Sequence, residues 1–148
     1  MITYLDTSVI LPALDGNHVL HDLTTEVIGQ ARQSGDAVTC ATHAFAELYN
    51  HLTKPGKGRP NFPLSVANTM LTESLPKLIT IQTLDWSDYQ AAIRRCVRLQ
   101  LSGPIIYDAL HYQAALRAGA TVIVTDNVRD FTRLVEEEER MEIRPMRG

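Results

Sequence analysis

The sequence predicts an α/β fold, a three-layer sandwich around a mainly parallel, roughly five-stranded sheet. Three observations predict it. Short apolar runs alternate along the chain with segments of helical periodicity. The clearest strand, residues 121–124, is a β-branched run with no polar alternation, as in a parallel strand covered on both faces. No internal repeat, low-complexity tract or second domain interrupts the 148 residues, so 1–148 is read as one domain.

The elements follow in order. Residues 2–5 form a short apolar run ending in Asp6-Thr7-Ser8, read as a first, central strand. Thr7 or Ser8 is expected to cap a short helix carrying Val9, Ile10 and Leu11, with Pro12 in its first turn. Asp22 is the expected N-cap of a helix to about Gln33, on the spacing of Leu23, Val27 and Ala31. Residues 37–40 are a second strand, and Thr42 is expected to cap a helix to Leu52. Residues 54–60 are a loop rich in glycine, proline and positive charge. Pro63 opens another helix, to about Leu75, and residues 78–81 are a third strand. Asp85 caps a long helix whose expected buried stripe is Trp86, Tyr89, Ile93, Cys96 and Val97. Ser102-Gly103-Pro104 breaks it. Residues 106–118 then read as a helix that is apolar nearly all round, stopped at Gly119. Gln113 and Arg117 mark its water face, with Asp108 almost opposite. After the strand at 121–124 comes the acidic turn Thr125-Asp126-Asn127, and residues 141–143 are expected at a sheet edge.

Composition narrows the class. Hydrophobic content of 45% and charged content of 21% are those of an ordinary globular protein. A net charge of −3 argues against a protein held to nucleic acid by overall charge alone. Cys40 and Cys96 lie far apart, outside any CxxC spacing, and are read as reduced thiols. No signal segment or membrane-length apolar run is seen, so a cytoplasmic location is expected.

The chemistry gathers on carboxylates. In open α/β sheets, ligands bind beyond the carboxyl ends of the strands. Asp6 and Asp126 each directly follow a strand, Asp108 opens the helix before the later one, and Glu47 lies on the helix after the second strand. Such a fold can bring all four to one rim. Two carboxylates about 4 Å apart repel by roughly 4 kcal/mol at an effective dielectric near 20. A cluster of them calls for protonation or a cation. Oxygen-only ligands select hard divalent ions, Mg²⁺ or Mn²⁺, and such an ion suits phosphodiester hydrolysis by an activated water. Each residue has an ordinary reading too. Asp6 and Asp126 suit capping and turn chemistry, and Glu47 shares a polar helix face with His43, Asn50 and His51. His111 is read as a structural hydrogen-bonding residue. With no cysteine or second histidine nearby in pattern, a zinc site is not expected.

LDTSVIL at 5–11, AELYN at 46–50, YDALHYQAALRAGA at 107–120 and VTDNVRDF at 124–131 resemble, in this order, the PIN domain, and most closely its VapC-type toxins. The resemblance implies a Mg²⁺- or Mn²⁺-dependent endoribonuclease, the toxin of a type II toxin–antitoxin pair. Asp6 and Asp108 match the family's metal-holding first and third acidic positions, and Glu47 its second. Asp126 is the choice for the fourth, with Asn127 and Asp130 as alternatives. Thr7, Ser8 and Thr125 would support the site by hydrogen bonding. RNA as substrate, a VapB-type antitoxin and a homodimer are likewise implied by the resemblance. Lys54, Lys57 and Arg59 in the loop, and Arg94 and Arg98 on a helix, are either phosphate contacts or ordinary solvated surface. Two other classes remain open: a PIN-like binding module without catalysis, and a phosphatase with Asp6 as nucleophile. Ser8 stands where the latter would carry a second aspartate.

Overall fold

The structure, a computed structural model, describes residues 1–146. In chain order the elements are β1 (Ile2–Leu5), α1 (Thr7–Leu14), α2 (His21–Gln33), β2 (Ala37–Ala41), α3 (Thr42–Thr53) and α4 (Leu64–Thr69). A π-helical turn (Met70–Ser74) and a 3₁₀ turn (Leu75–Lys77) prolong α4. Then come β3 (Thr80–Gln82), α5 (Trp86–Arg98), α6 (Ile105–Ala118), β4 (Val122–Val124), α7 (Val128–Leu134) and β5 (Glu142–Arg144). The five strands form one sheet in the order β3-β2-β1-β4-β5, and every pairing is parallel. The expected edge strand is β5.

Strand residues alternate between two cores. Leu5, Val38, Cys40, Val122 and Val124 face α1, α3 and α4. Tyr4, Ala41 and Ile123 face α5, α6 and α7. Both faces of the central strands are thus apolar, which is why their sequences lack alternation. Phe131 is fully buried and fixes α7 to the second core. Truncating such a side chain to alanine costs about 3–5 kcal/mol. Gly119 ends α6 with φ of 76°, a left-handed conformation that glycine adopts without strain. Cys40 and Cys96 are buried and unbridged. No helix among the described residues is long and apolar enough to cross a membrane.

Several local expectations are corrected. Asp6, not Thr7 or Ser8, is the N-cap of α1, its carboxylate accepting from the Thr7 N–H. Pro12 lies inside α1, beyond the first turn, where it forgoes a helical hydrogen bond that a helix this short spares. α2 starts one residue before Asp22, with Leu20 at the cap, and α3 starts at Thr42 itself, behind Ala41. The helix after Pro63 reaches residue 77 only by loosening and then tightening its turns. The third strand is Thr80–Gln82.

The largest correction concerns α5. Asp85 caps it as expected, through a reciprocal capping box with Asp88. Yet the apolar stripe faces outward. Trp86 is 68% exposed and Val97 70%, and Tyr89 and Ile93 are also exposed. Of that stripe only Cys96 is buried, and the inward face carries Asp88, Ala92 and Arg95. Polar partners explain the inversion. Asp88 accepts hydrogen bonds from Gln113 (3.1 Å) and Arg117 (2.6 Å) of α6. Arg95, 5% exposed, makes a two-pronged bond to Glu139 (2.6 and 2.7 Å) and donates to the Leu134 carbonyl (2.9 Å).

Candidate active site

The carboxyl ends of β1 and β4 border a cleft of about 410 Å³, and Asp6, Glu47, Asp108 and Asp126 all line it. Asp6 is buried and held by three donors. The Thr7 N–H reaches Oδ1 (2.8 Å), and the Ser8 and Thr125 hydroxyls reach Oδ2 (2.8 and 2.9 Å). Ser8 and Thr125 belong to the two strand ends that meet here, where the Asp6 N–H also donates to the Val124 carbonyl. The Asp6 carboxylate is therefore oriented by backbone topology and by side chains of both segments.

Asp108 stands in the first turn of α6, half-buried. Its pKa is raised from the ordinary 3.8 to about 6, first by burial, then by the charges of Asp6 and Asp130, with Glu47 adding to them against His111. Asn127 Nδ2 lies 3.4 Å from Asp108 Oδ2 and donates to Asp130 (3.0 Å). Asp126 is exposed, and its backbone N–H donates to Ser8 (3.1 Å). No hydrogen bond to the Asp126 carboxylate occurs among the described residues. The polar face of α3 does line the cleft, as a role for Glu47 requires, and His51 lines it too.

Two histidines complete the floor. His111 is buried beneath the carboxylates, with Nδ1 2.6 Å from the Tyr4 hydroxyl and Nε2 3.1 Å from Glu47. A carboxylate only accepts, so Nε2–H donates to Glu47 and the Tyr4 hydroxyl donates to Nδ1. Contrary to the spacing argument, a second histidine is close. The ring of His43, from α3, lies 4.1 Å from that of His111, centroid to centroid. Both His43 ring nitrogens are buried without a hydrogen-bond partner among the described residues. Leaving such a group unsatisfied costs about 1–3 kcal/mol. Its pKa is lowered to about 4, by burial first and then by His111, so the ring is neutral at pH 7. For Glu47, burial raises the pKa, but bonding to His111 and the charges of both histidines outweigh it and the net shift is downward. The four-residue spacing puts His43 and Glu47 on one face of α3 in the sequence, but nothing local brings His111 of α6 beside them.

The basic residues divide. Arg98 is bound to Glu136 (2.5 and 3.1 Å) and is not available for phosphate. Lys54, Lys57 and Arg59 form no ion pair among the described residues and are exposed in the loop after α3.

The oxygen donors of the cleft suit a hard divalent cation, the carboxylates around Asp108 help to raise its pKa, and no lysine or arginine lines the cleft among the described residues. This set can hold such an ion and present it to an anionic substrate in an open cleft.

Comparison with known proteins agrees with the geometry. The PIN domain family matches residues 3–137. Comparison with curated proteins finds no significant match. Among solved structures the chain resembles VapBC2 from Rickettsia felis bound to a DNA fragment from their promoter, at 16% identity and a TM-score of 0.69, covering 98% of each chain. It also resembles VapC20 of Mycobacterium tuberculosis, a sarcin-ricin loop cleaving toxin, at 14% identity and a TM-score of 0.62, covering 82% of this chain and 86% of that one. FitAcB from Neisseria gonorrhoeae is similar at 15% identity and a TM-score of 0.68, covering 99% of this chain and 98% of that one. At these identities the structures speak for the fold alone, and the family match speaks for descent: the chain belongs to the PIN domain family.

Proposed function

We propose that this chain is a Mg²⁺- or Mn²⁺-dependent endoribonuclease acting in the cytoplasm as the toxin of a type II toxin–antitoxin pair. The observation that carries the reading is the uncompensated carboxylate cluster at the carboxyl ends of β1 and β4, within a PIN fold. The names of the similar structures, a sarcin-ricin loop cleaving toxin among them, favour RNA as substrate.

Asp6 and Asp108 would hold the ion. Bound there, the ion supplies Lewis acidity toward the scissile phosphate and a more acidic water for its hydrolysis. The chain's own residues do the rest. Ser8, Thr125 and the Thr7 N–H keep Asp6 aimed into the cleft. His111 holds Glu47 at the wall, where its carboxylate would complete the charge environment of the ion. We assign the fourth acidic position to Asp126, which faces the cleft with no competing partner. Asp130 instead orients Asn127 beside Asp108. Lys54, Lys57 and Arg59 steer the RNA backbone.

The same field draws an antitoxin of VapB type, whose arginine would occupy the cleft and compete with the cation. The outward stripe of α5 supports a homodimer in which Trp86, Ile93 and Val97 of two copies cover one another, since an apolar stripe of this kind marks an interaction surface.

The test is cleavage of RNA by the purified chain. Mg²⁺- or Mn²⁺-dependent cleavage, abolished by EDTA and by Asp6→Asn, is expected. RNA binding without metal-dependent cleavage would make the chain a binding module instead.

A further inference from the structure

We propose that His43, Glu47 and His111 form a binding site for a transition-metal ion, Zn²⁺ foremost, separate in chemistry from the carboxylate cluster. One ligand atom from each of the three residues lies within 4.8 Å of the other two. His111 Nε2 is 3.1 Å and His43 Nε2 is 3.7 Å from the same Glu47 oxygen. Ligand atoms around a tetrahedral Zn²⁺ stand about 3.3 Å apart, since each sits about 2.0–2.1 Å from the ion. The two spacings to Glu47 bracket that value and the third lies within 4.8 Å, so side-chain adjustment would complete the set, with water as a fourth ligand.

Two further observations point to a ligand. Both His43 nitrogens are buried and have no hydrogen-bond partner among the described residues, and the ring lies against that of His111. An unexplained buried polar group of this kind is where an ion is to be sought. His111 also has a built support, because Tyr4 lies 2.6 Å from Nδ1. For Nε2 to bind a metal, His111 takes the tautomer with its proton on Nδ1, which then donates a hydrogen bond to the Tyr4 oxygen while the Tyr4 O–H turns away from the ring. A hydrogen-bonded second nitrogen is what metal-binding histidines require. An entry route exists, for His43, Ala46, Glu47, Tyr89, Tyr107 and Leu110 line an open hollow of about 510 Å³ that shares Glu47 and Tyr107 with the cleft.

Donor chemistry separates the two sites. Imidazole nitrogens suit Zn²⁺, Co²⁺ and Ni²⁺, whereas Mg²⁺ prefers oxygen. Glu47 is common to both, so Zn²⁺ would draw it out of the cleft. That consequence, inhibition of cleavage, rests on the nuclease reading; the metal site itself does not.

The experiment titrates Co²⁺ into the full chain, stripped with EDTA and held in excess Mg²⁺. Tetrahedral Co²⁺ absorbs visible light strongly, and octahedral Co²⁺ on oxygen ligands weakly. The expected result is a strong band that saturates, that Zn²⁺ abolishes, and that Asp108→Asn retains. His43→Gln is expected to weaken binding on the order of 100-fold or more, beyond the effect of losing a ligand's supporting partner. Glu47 is partly exposed, so Glu47→Gln carries the same comparison if the buried substitution does not fold. A wild-type chain with no strong band overturns the proposal. So does a band undiminished in a folded His43→Gln or Glu47→Gln chain, or one lost in Asp108→Asn.

Discussion

Two groups of carboxylates stand in this molecule, and they have opposite surroundings. Glu136 and Glu139 meet Arg95 and Arg98. Asp6, Glu47, Asp108 and Asp126 line one cleft, and Glu47 has two histidines beside it. At Glu139, burial raises the pKa, but hydrogen bonds from Arg95, the Glu136 N–H and Tyr112 prevail, and the net shift is downward. At Asp108, burial and neighbouring carboxylates act together, and the pKa climbs to about 6. The first group is balanced within the chain and ties α5 to the segment after α7. No lysine or arginine lines the cleft of the second among the described residues. The proposed cation would supply to the second group what the arginines supply to the first.

Substitutions separate the two groups. The largest effect is expected at Asp6→Asn and Asp108→Asn, which should lower metal-dependent RNA cleavage by about 10²-fold or more with the fold intact, in a single-turnover assay. Arg95→Met should do the reverse. Removing one partner of a buried ion pair costs about 3–5 kcal/mol, so denaturant midpoints should fall sharply, while cleavage per folded molecule persists at low temperature. Equal loss of cleavage in the two classes would erase the distinction.

pH sharpens it. The folded-state pKa of Asp108, about 6, lies above the ordinary 3.8 of an unfolded chain. Between these values the folded state holds more protons than the unfolded one. The Asp108 contribution to stability therefore declines as pH rises from about 4 to about 6 and stays unfavourable above. Thermal melts of the metal-free chain should show that decline, and Asp108→Asn should remove it and raise the melting temperature at pH 7. Added Mg²⁺ should raise the wild-type melting temperature at pH 7 and leave Asp108→Asn nearly unmoved.

Smaller effects concern the rim. Asp126→Asn should cost more cleavage than Asp130→Asn, and the opposite order would move the fourth acidic position to Asp130. Ile93→Glu should shift the sedimentation of the chain toward the monomer without altering the cleft. An unchanged sedimentation profile would remove α5 as the interface.

Much of this was legible in the sequence. The strands at residues 2–5 and 121–124 reveal their double burial by lacking a regular polar alternation, and each is followed by an aspartate that lines the cleft. The convergence of Asp6 and Asp108 follows from where a parallel sheet places its ligands. Other features were not legible. α5 has a clean apolar stripe, and periodicity reports that such a face exists, not what covers it. Only the partners of Asp88 on α6 and of Arg95 beyond α7 decide that the polar face turns inward. His43 escaped notice because its neighbour His111 is 68 residues away, beyond the reach of a spacing rule.

The central claim is that the cluster at the ends of β1 and β4 captures a divalent cation. Anomalous diffraction from crystals grown with Mn²⁺ tests it most directly. A peak between the carboxylates of Asp6 and Asp108, absent from crystals of the Asp6→Asn chain, is the predicted result. A map with no peak at those carboxylates, at Mn²⁺ concentrations that support RNA cleavage, would contradict it.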